Sequence, residues 1–292
     1  MIYGMPEEEY IAPGHGACAG CPLPIITRII TKASGEDTII VNATSCLEVV
    51  TSPYPHTSWK LPWVHTAFEN SAAVASGIEA AVKKSGKKTN ILVFAGDGGT
   101  FDIGLQALSG MLERGHRICF VCFDNEAYMN TGVQRSGATP LHAWTTTTPL
   151  GKKERKKPVA EIIASHHIPY VASANPAYHK DLYDKVKKAL SFDGPSFIHV
   201  YSPCVPGWKY ESRKTIHICR LAVETGAWML YEIENGFVKI NRTPEKRIPV
   251  EEYLKTQKRF SHLSKKDIED IENDIEDSWQ RMKNLEKAKA RI

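Results

Sequence analysis

The chain has 292 residues, 42% of them hydrophobic, and a formal net charge of +4. That is enough apolar material for one large folded unit with extensions, and the charge balance is too mild to indicate a nucleic-acid surface. No run reaches the roughly 18 uninterrupted apolar residues of a membrane span, and the start Met1-Ile2-Tyr3-Gly4 lacks a charged-then-apolar leader, so a reducing, cytoplasmic setting is expected.

In chain order, Cys18-Ala19-Gly20-Cys21 lies in a loop rich in proline and glycine, followed by a helix near Pro24 to Lys32 and a strand at Thr38 to Val41. Cys46 is read in the next loop. Ala67, Phe68, Ala72, Val74, Ala75, Ile78 and Ala81 recur at helical spacing, predicting a helix over Thr66 to Lys84 that carries Glu69 one turn after His65. Asn90 to Ala95 and Ile118 to Phe123 are short apolar strands, and Ile103, Leu105, Leu108, Met111 and Leu112 predict a helix between them over Phe101 to Arg114. The basic run Lys152 to Lys157 is read as a solvated loop, with docking of an acidic partner as the alternative. Then come a helix Val159 to His166, a strand Tyr170 to Ala172, a helix Tyr178 to Leu190 and a strand ending at Tyr201. Cys204 follows in a loop, and a helix over Thr215 to Ala227 comes next. Glu232 to Ile240 reads as a hairpin turning at Asn235-Gly236, and Val250 to Ala290 is charged and helical. The alternation predicts an α/β fold, a parallel sheet with helices on both faces, in residues 1–230, with a hairpin and helical arm in 231–292.

Two polar corners end the two apolar strands: Gly96-Asp97-Gly98-Gly99 and Asp124-Asn125-Glu126-Ala127. Open α/β sheets bind ligands at the carboxyl ends of their strands. The glycines allow close backbone approach, and a helix starting near Thr100 to Asp102 aims amides at an anion. Asp97 has no cationic neighbour in sequence, so a carboxylate beside an anion site points to a hard divalent cation bridging protein oxygens and a diphosphate.

Seven cysteines without a leader argue against a disulfide framework. Cys18, Cys21, Cys46 and Cys204 are all placed in loops, where four thiolates can converge; spacing alone leaves zinc and iron-sulfur equally open. Cys119 and Cys122 sit three apart on a strand and point to opposite faces, so they are read as buried packing residues, and Cys219 likewise. Glu48 is an acid/base candidate whose plainer reading is to cap its turn. His15, beside the cysteine loop, is read as an ordinary loop residue, with a hydrogen bond to a cluster sulfur as the alternative.

Gly-Asp-Gly, 26 residues and then Asn resembles the thiamine-diphosphate motif, and the longer strings Gly96 to His116 and Asp124 to Gly137 resemble the β subunits of the pyruvate:ferredoxin oxidoreductases, within the 2-oxoacid:ferredoxin oxidoreductase family. The likeness spans roughly residues 10–260. It implies a thiamine-diphosphate-binding, pyrophosphate-type domain in which Asp97 and Asn125 hold Mg2+ by side chain and Ala127 by its carbonyl. Gly96, Gly98, Gly99 and Thr100 would line the diphosphate, and Asn130 and Thr131 would face diphosphate and substrate. Asn130 and Glu48 are the catalytic candidates. The resemblance also assigns one 4Fe-4S cluster to Cys18, Cys21, Cys46 and Cys204.

The implied reaction is reversible, coenzyme A-dependent oxidative decarboxylation of pyruvate to acetyl-CoA and CO2, with electrons passing to ferredoxin. The implied partners are an α subunit with the pyrimidine-binding domain and the catalytic glutamate, and γ and δ-like chains. Pro22-Leu23-Pro24 and Thr100-Phe101 depart from the family pattern, and Phe101 is expected near the cleft, which leaves 2-oxobutyrate, branched 2-oxo acids or oxalate as alternative substrates. A non-redox thiamine decarboxylase or carboligase, or a zinc-stabilised interaction subunit, are the readings from other classes.

Overall fold

The computed structural model describes residues 4–53 and 55–292; the start Met1-Ile2-Tyr3 read above lies outside it. The elements run α1 (Leu23–Ser34), β1 (Thr38–Ala43), α2 (Cys46–Thr51), β2 (Trp63–Thr66), α3 (Ser71–Lys84), β3 (Asn90–Gly96) and a π-helical turn (Gly98–Ile103). They continue with α4 (Leu105–Glu113), β4 (Cys119–Asp124), α5 (Val159–Ala164), β5 (Tyr170–Ala174), α6 (His179–Ser191), β6 (Ser196–Tyr201), α7 (Val205–Trp208) and α8 (Thr215–Glu224). The chain closes with β7 (Leu230–Glu234), β8 (Phe237–Arg242), α9 (Val250–Leu254) and α10 (Lys265–Ala288).

One eight-stranded sheet has the order β2-β1-β3-β4-β6-β5-β7-β8. The first six strands are parallel, and β7 pairs antiparallel with β5. Alternate residues of the central strands enter two cores on opposite faces. Val41, Ile91, Val93, Phe120 and Cys122 pack on one side, and Ile40, Leu92, Phe94, Cys119 and Val121 on the other. Both faces are therefore covered, as the near-continuous apolar strands require. Cys119 and Cys122 do point to opposite faces, and Cys219 is fully buried.

A third cluster sits beyond the carboxyl ends of the strands. Ala127, Met129, Tyr201 and Trp208 meet residues of α8 there, with Val250, Tyr253, Leu254, Phe260 and Ile271 of the C-terminal segment. The hairpin turns at Asn235-Gly236, both at positive φ (50° and 86°), the type I′ geometry that Asn-Gly favours. Among the described residues no helix is long and apolar enough to cross a membrane.

Several boundaries differ from the sequence reading. Residues 63–66 form a strand because they pair in parallel with β1, Ile40 against Trp63 through Ala43 against Thr66. The following helix starts at Ser71, so His65 and Glu69 do not share a helical turn. Cys46 is not in a loop but is the first residue of α2. The basic run is solvated only in part: Lys153, Glu154 and Arg155 are exposed, but Lys152 is 1% exposed, donating to the Thr139 carbonyl at 2.6 Å, and burial pushes its ammonium down to about 8. Lys156 and Lys157 also turn inward, onto Asp124 and Asp102.

Candidate active site

The strand order reverses direction between β1 and β3, which opens a crevice at their carboxyl ends. Ser45 and Cys46 follow β1, Gly96 and Asp97 end and follow β3, Asn125 follows β4 and Cys204 follows β6. Four neighbouring strands thus deliver residues far apart in sequence to one edge. A cavity of about 40 Å³ there is lined by Ser45, Cys46, Phe68, Gly96, Asp97, Gly98, Asn125, Ala127, Tyr128, Met129, Asn130 and Thr131.

Gly98 is needed for steric reasons, since a Cβ on it would collide with the Tyr128 ring, which stacks on Phe68 with centroids 5.9 Å apart. After Gly98 the chain does not enter an α-helix directly. It makes a π-helical turn, closed by the Gly104 amide donating to the Gly99 carbonyl at 2.9 Å. Thr100 donates back to the Gly96 carbonyl at 2.8 Å, so its hydroxyl serves the turn; neither Thr100 nor Gly99 lines the cavity. Phe101, expected near the cleft, is fully buried against His199 instead, 5.5 Å between centroids.

Asp97 is 1% exposed. Burial and the nearby Asp124 push its carboxyl well above the usual carboxylate range, although the Ser136 hydroxyl donates to it at 2.6 Å. The Asn125 side-chain oxygen stands 3.1 Å from Asp97 Oδ1 and 2.7 Å from the Ala127 carbonyl oxygen. Without a cation the amide satisfies both acceptors by turning its nitrogen to donate to them; with one, its oxygen can join theirs as a ligand. An octahedral magnesium with bonds near 2.1 Å has oxygen–oxygen edges of about 3.0 Å, which the observed spacings bracket. The donor set is all hard oxygen, and a cation there would reverse the rise in the Asp97 pKa. These residues fit a magnesium ion.

Behind this trio Asp124 is fully buried. Burial would raise it, but Lys156 at 2.6 Å and His199 Nε2 at 2.7 Å hold it down at about 2. His199 is itself pushed down by burial, which outweighs its carboxylate partner.

Cys18, Cys21, Cys46 and Cys204 are close enough to influence one another's titration. Burial, helped by the neighbouring cysteines, Cys18 among them, pushes the thiols of Cys21 and Cys46 up to about 12 and that of Cys204 to about 11. Gly20, at φ 77°, packs against the Ser212 backbone with no room for a Cβ, and its carbonyl accepts from Thr215 at 2.6 Å, docking the Cys18–Cys21 loop onto the segment after Cys204. Cys46 lines the cavity itself. Cys204 Sγ and cavity-lining Met129 both border the Cβ position of Gly207.

Among the described residues, the trio of His, Cys, Asp or Glu ligand atoms within 4.8 Å of one another is His142, Asp267 and Asp270. No three of the four sulfurs therefore lie within 4.8 Å of one another, wider than the spacing of about 3.8 Å in tetrahedral zinc. The His142 trio braces the long C-terminal helix, each ring nitrogen facing a different aspartate of that helix, at 3.6 and 3.3 Å.

Glu48 is not brought to the cavity lining; its carboxylate faces His65 Nδ1 at 3.8 Å. His15 accepts from the Ala17 amide at 3.4 Å. Asn130 and Thr131 lie at the exposed rim. Sequence reasoning missed Ser45, Phe68, Tyr128 and Ser136. Ser45 Oγ is buried without a partner, and its one sequence signal is adjacency to Cys46.

The model of the "Thiamine pyrophosphate enzyme, C-terminal TPP binding domain" family matches residues 43–200, more than half of the chain. The pyruvate synthase subunit PorB of Methanocaldococcus jannaschii is 57% identical over 290 residues, covering 95% of this chain and 97% of that one. The ketoisovalerate oxidoreductase subunit VorB of Pyrococcus abyssi is 47% identical over 294 residues, with 96% and 94% covered. A 2-oxoglutarate:ferredoxin oxidoreductase from Magnetococcus marinus, solved with 2-oxoglutarate, coenzyme A and succinyl-CoA, superposes with a TM-score of 0.59 at 20% identity over 75% of this chain and 82% of that one, a likeness of fold. Taken with the geometry of the strand ends, these likenesses identify the chain as a member of the pyruvate synthase β-subunit (PorB) family of the 2-oxoacid:ferredoxin oxidoreductases, carrying its thiamine-diphosphate-binding domain.

Proposed function

We propose that this chain is the diphosphate- and cluster-bearing subunit of an enzyme that oxidatively decarboxylates pyruvate to acetyl-CoA and CO2, reversibly, and passes the electrons to ferredoxin in the cytoplasm. The observation that carries the proposal is the meeting of the Asp97 carboxylate, the Asn125 side-chain amide and the Ala127 carbonyl with a four-cysteine group that shares Cys46 with the same cavity. When bound, thiamine diphosphate supplies an electron sink for the carbanion left by loss of CO2, and a 4Fe-4S cluster accepts electrons singly.

The chain's own residues have separate tasks. Asp97, Asn125 and Ala127 would hold Mg2+, with Ser136 orienting the Asp97 carboxylate. Gly96 lets the diphosphate approach the backbone and Gly98 makes room for the Tyr128 ring, while Asn130 and Thr131 offer hydrogen bonds at the rim to diphosphate and substrate. Cys18, Cys21, Cys46 and Cys204 would hold the cluster as thiolates. A cavity of about 40 Å³ is far below the roughly 300 Å³ of a small-molecule site. This supports an α subunit closing over the cofactor's pyrimidine end and contributing the catalytic glutamate, with γ and δ-like chains completing the complex.

A branched 2-oxo acid is the second reading, favoured by the 47% identity to a ketoisovalerate oxidoreductase subunit. The test is an anaerobic assay of the co-purified complex against a panel of 2-oxo acids with coenzyme A and a low-potential dye. Pyruvate should give the highest kcat/KM; a branched acid ahead of it would replace the substrate named here. In the same complex Cys204→Ser should lose iron and dye reduction, whereas Cys122→Ser should keep both. Equal losses would sink the cluster assignment.

A further inference from the structure

Glu126 stands between two of the proposed cation ligands, Asn125 and Ala127, with its backbone at φ 67°, the left-handed region that a side chain disfavours. Such a conformation persists where the surroundings over-determine it. The Glu126 amide donates to Asp124 Oδ1 at 2.9 Å and its carbonyl accepts from Thr139 at 2.7 Å. Its carboxylate is gripped from two sides: Lys156 Nζ lies 3.0 Å from Oε1, and Arg259 Nη2 lies 2.6 Å from Oε2.

Arg259 reaches this turn from 133 positions away in sequence. It is 3% exposed, its Nε donates to Gln257 at 2.8 Å, and its guanidinium carbon sits 3.6 Å from the ring centroid of Trp208. Trp208 in turn donates its indole N–H to the Asn125 carbonyl at 2.9 Å. It ends the short helix that Cys204 caps. One guanidinium from the C-terminal segment therefore bears on both sides of Asn125, directly through Glu126 and indirectly through Trp208. A solvated ion pair would be worth little in such a role, but this pair is buried and stacked, so neither partner has water to fall back on.

We infer that Arg259 is a positioning residue for the cation site: the C-terminal segment sets the Asn125–Ala127 turn in the shape that brings its oxygens to Asp97. The inference rests on the reading of Asp97, Asn125 and Ala127 as cation ligands. It assigns the segment after α9 a part in cofactor retention, where its composition alone indicates an outer arm.

The test uses the full complex, stripped of divalent metal with a chelator and titrated with Mn2+ followed by electron paramagnetic resonance. Arg259→Lys keeps the charge but loses the fork and the stack, and Glu126→Gln keeps the shape but loses the charge. Each should raise the Mn2+ dissociation constant about 10–100-fold, the range typical of outer partners of a metal site, with iron content and circular dichroism unchanged. The double variant should lose less than the product of the two single losses, because both changes break the shared Arg259–Glu126 contact. Unchanged Mn2+ affinity in both single variants, with a normal site in the unaltered complex, would overturn this inference alone, as would losses that multiply in the double variant. An unaltered complex with no Mn2+ site would remove the cation reading, and this inference with it.

Discussion

A carboxylate sealed from water beside a second carboxylate destabilises a fold unless something positive joins it. Asp97 is in that position, with Asp124 behind it, and its raised pKa is the sign of that missing charge. Asp97→Asn keeps the shape and removes the charge. The metal-free chain should become more stable, by about 1–3 kcal/mol, while the complex should lose its divalent metal on gel filtration. Denaturant midpoints and metal analysis read the two effects separately, and a variant that keeps its metal would refute the assignment. The motif residues Asp97 and Asn125 were legible in sequence, since glycine and asparagine after apolar strands advertise a ligand edge. Glu126, Lys156 and Arg259 were not, because a charged residue in a polar string looks the same whether it faces water or a buried partner.

At the scale of elements, the turn between β3 and α4 is the instructive case. Ile103, Leu105 and Leu108 fit a helical period, but the first turn is π-helical, and Gly104 closes it with its amide on the Gly99 carbonyl. A Cβ at Gly104 would run into that carbonyl and come within 3.1 Å of the Glu69 carbonyl. Gly104→Ala should therefore cost about 1–3 kcal/mol through overpacking, measured by thermal unfolding of the chain, and a wild-type melting temperature would show that the turn relaxes freely. The period could not distinguish this turn from an α-helix because five- and four-residue closures place the same side chains inward over so short a stretch. β2 was missed for a different reason: Val64 and His65 are exposed on an edge strand, so no apolar run marks it, and only its pairing with β1 makes it a strand.

Across the whole molecule, the C-terminal hairpin is tied to the rest of the sheet through polar contacts that converge on the buried Glu232. Glu232 on β7 accepts from Lys188 and from the Tyr170 hydroxyl, each at 2.8 Å, and from Asn241 at 2.6 Å. Burial would raise its carboxyl, but these donors hold it at about 2 against an ordinary 4.5. With the folded value below the unfolded one, the unfolded chain takes up the proton first as pH falls. The stabilisation is complete above pH 4.5 and drains away between 4.5 and about 2. Glu232→Gln should flatten the loss of stability in that window and cost about 1–3 kcal/mol at neutral pH. Denaturant midpoints across the window check it, and the expectation fails if the two chains lose stability in parallel.

By itself the sequence determined the parallel α/β class, the Asn235-Gly236 hairpin, the two polar corners and which cysteines lie outside the core, because each depends on the periodicity or the turn chemistry of residues close together in the chain. Only the tertiary structure decided that the basic loop and the C-terminal segment turn inward to hold the Asn125–Ala127 turn, and that the Ser45 hydroxyl lies buried beside the cavity. Those outcomes depend on which surfaces meet when strands β1, β3, β4 and β6 are laid side by side, and a contact across 133 residues leaves no mark on the local pattern at either end.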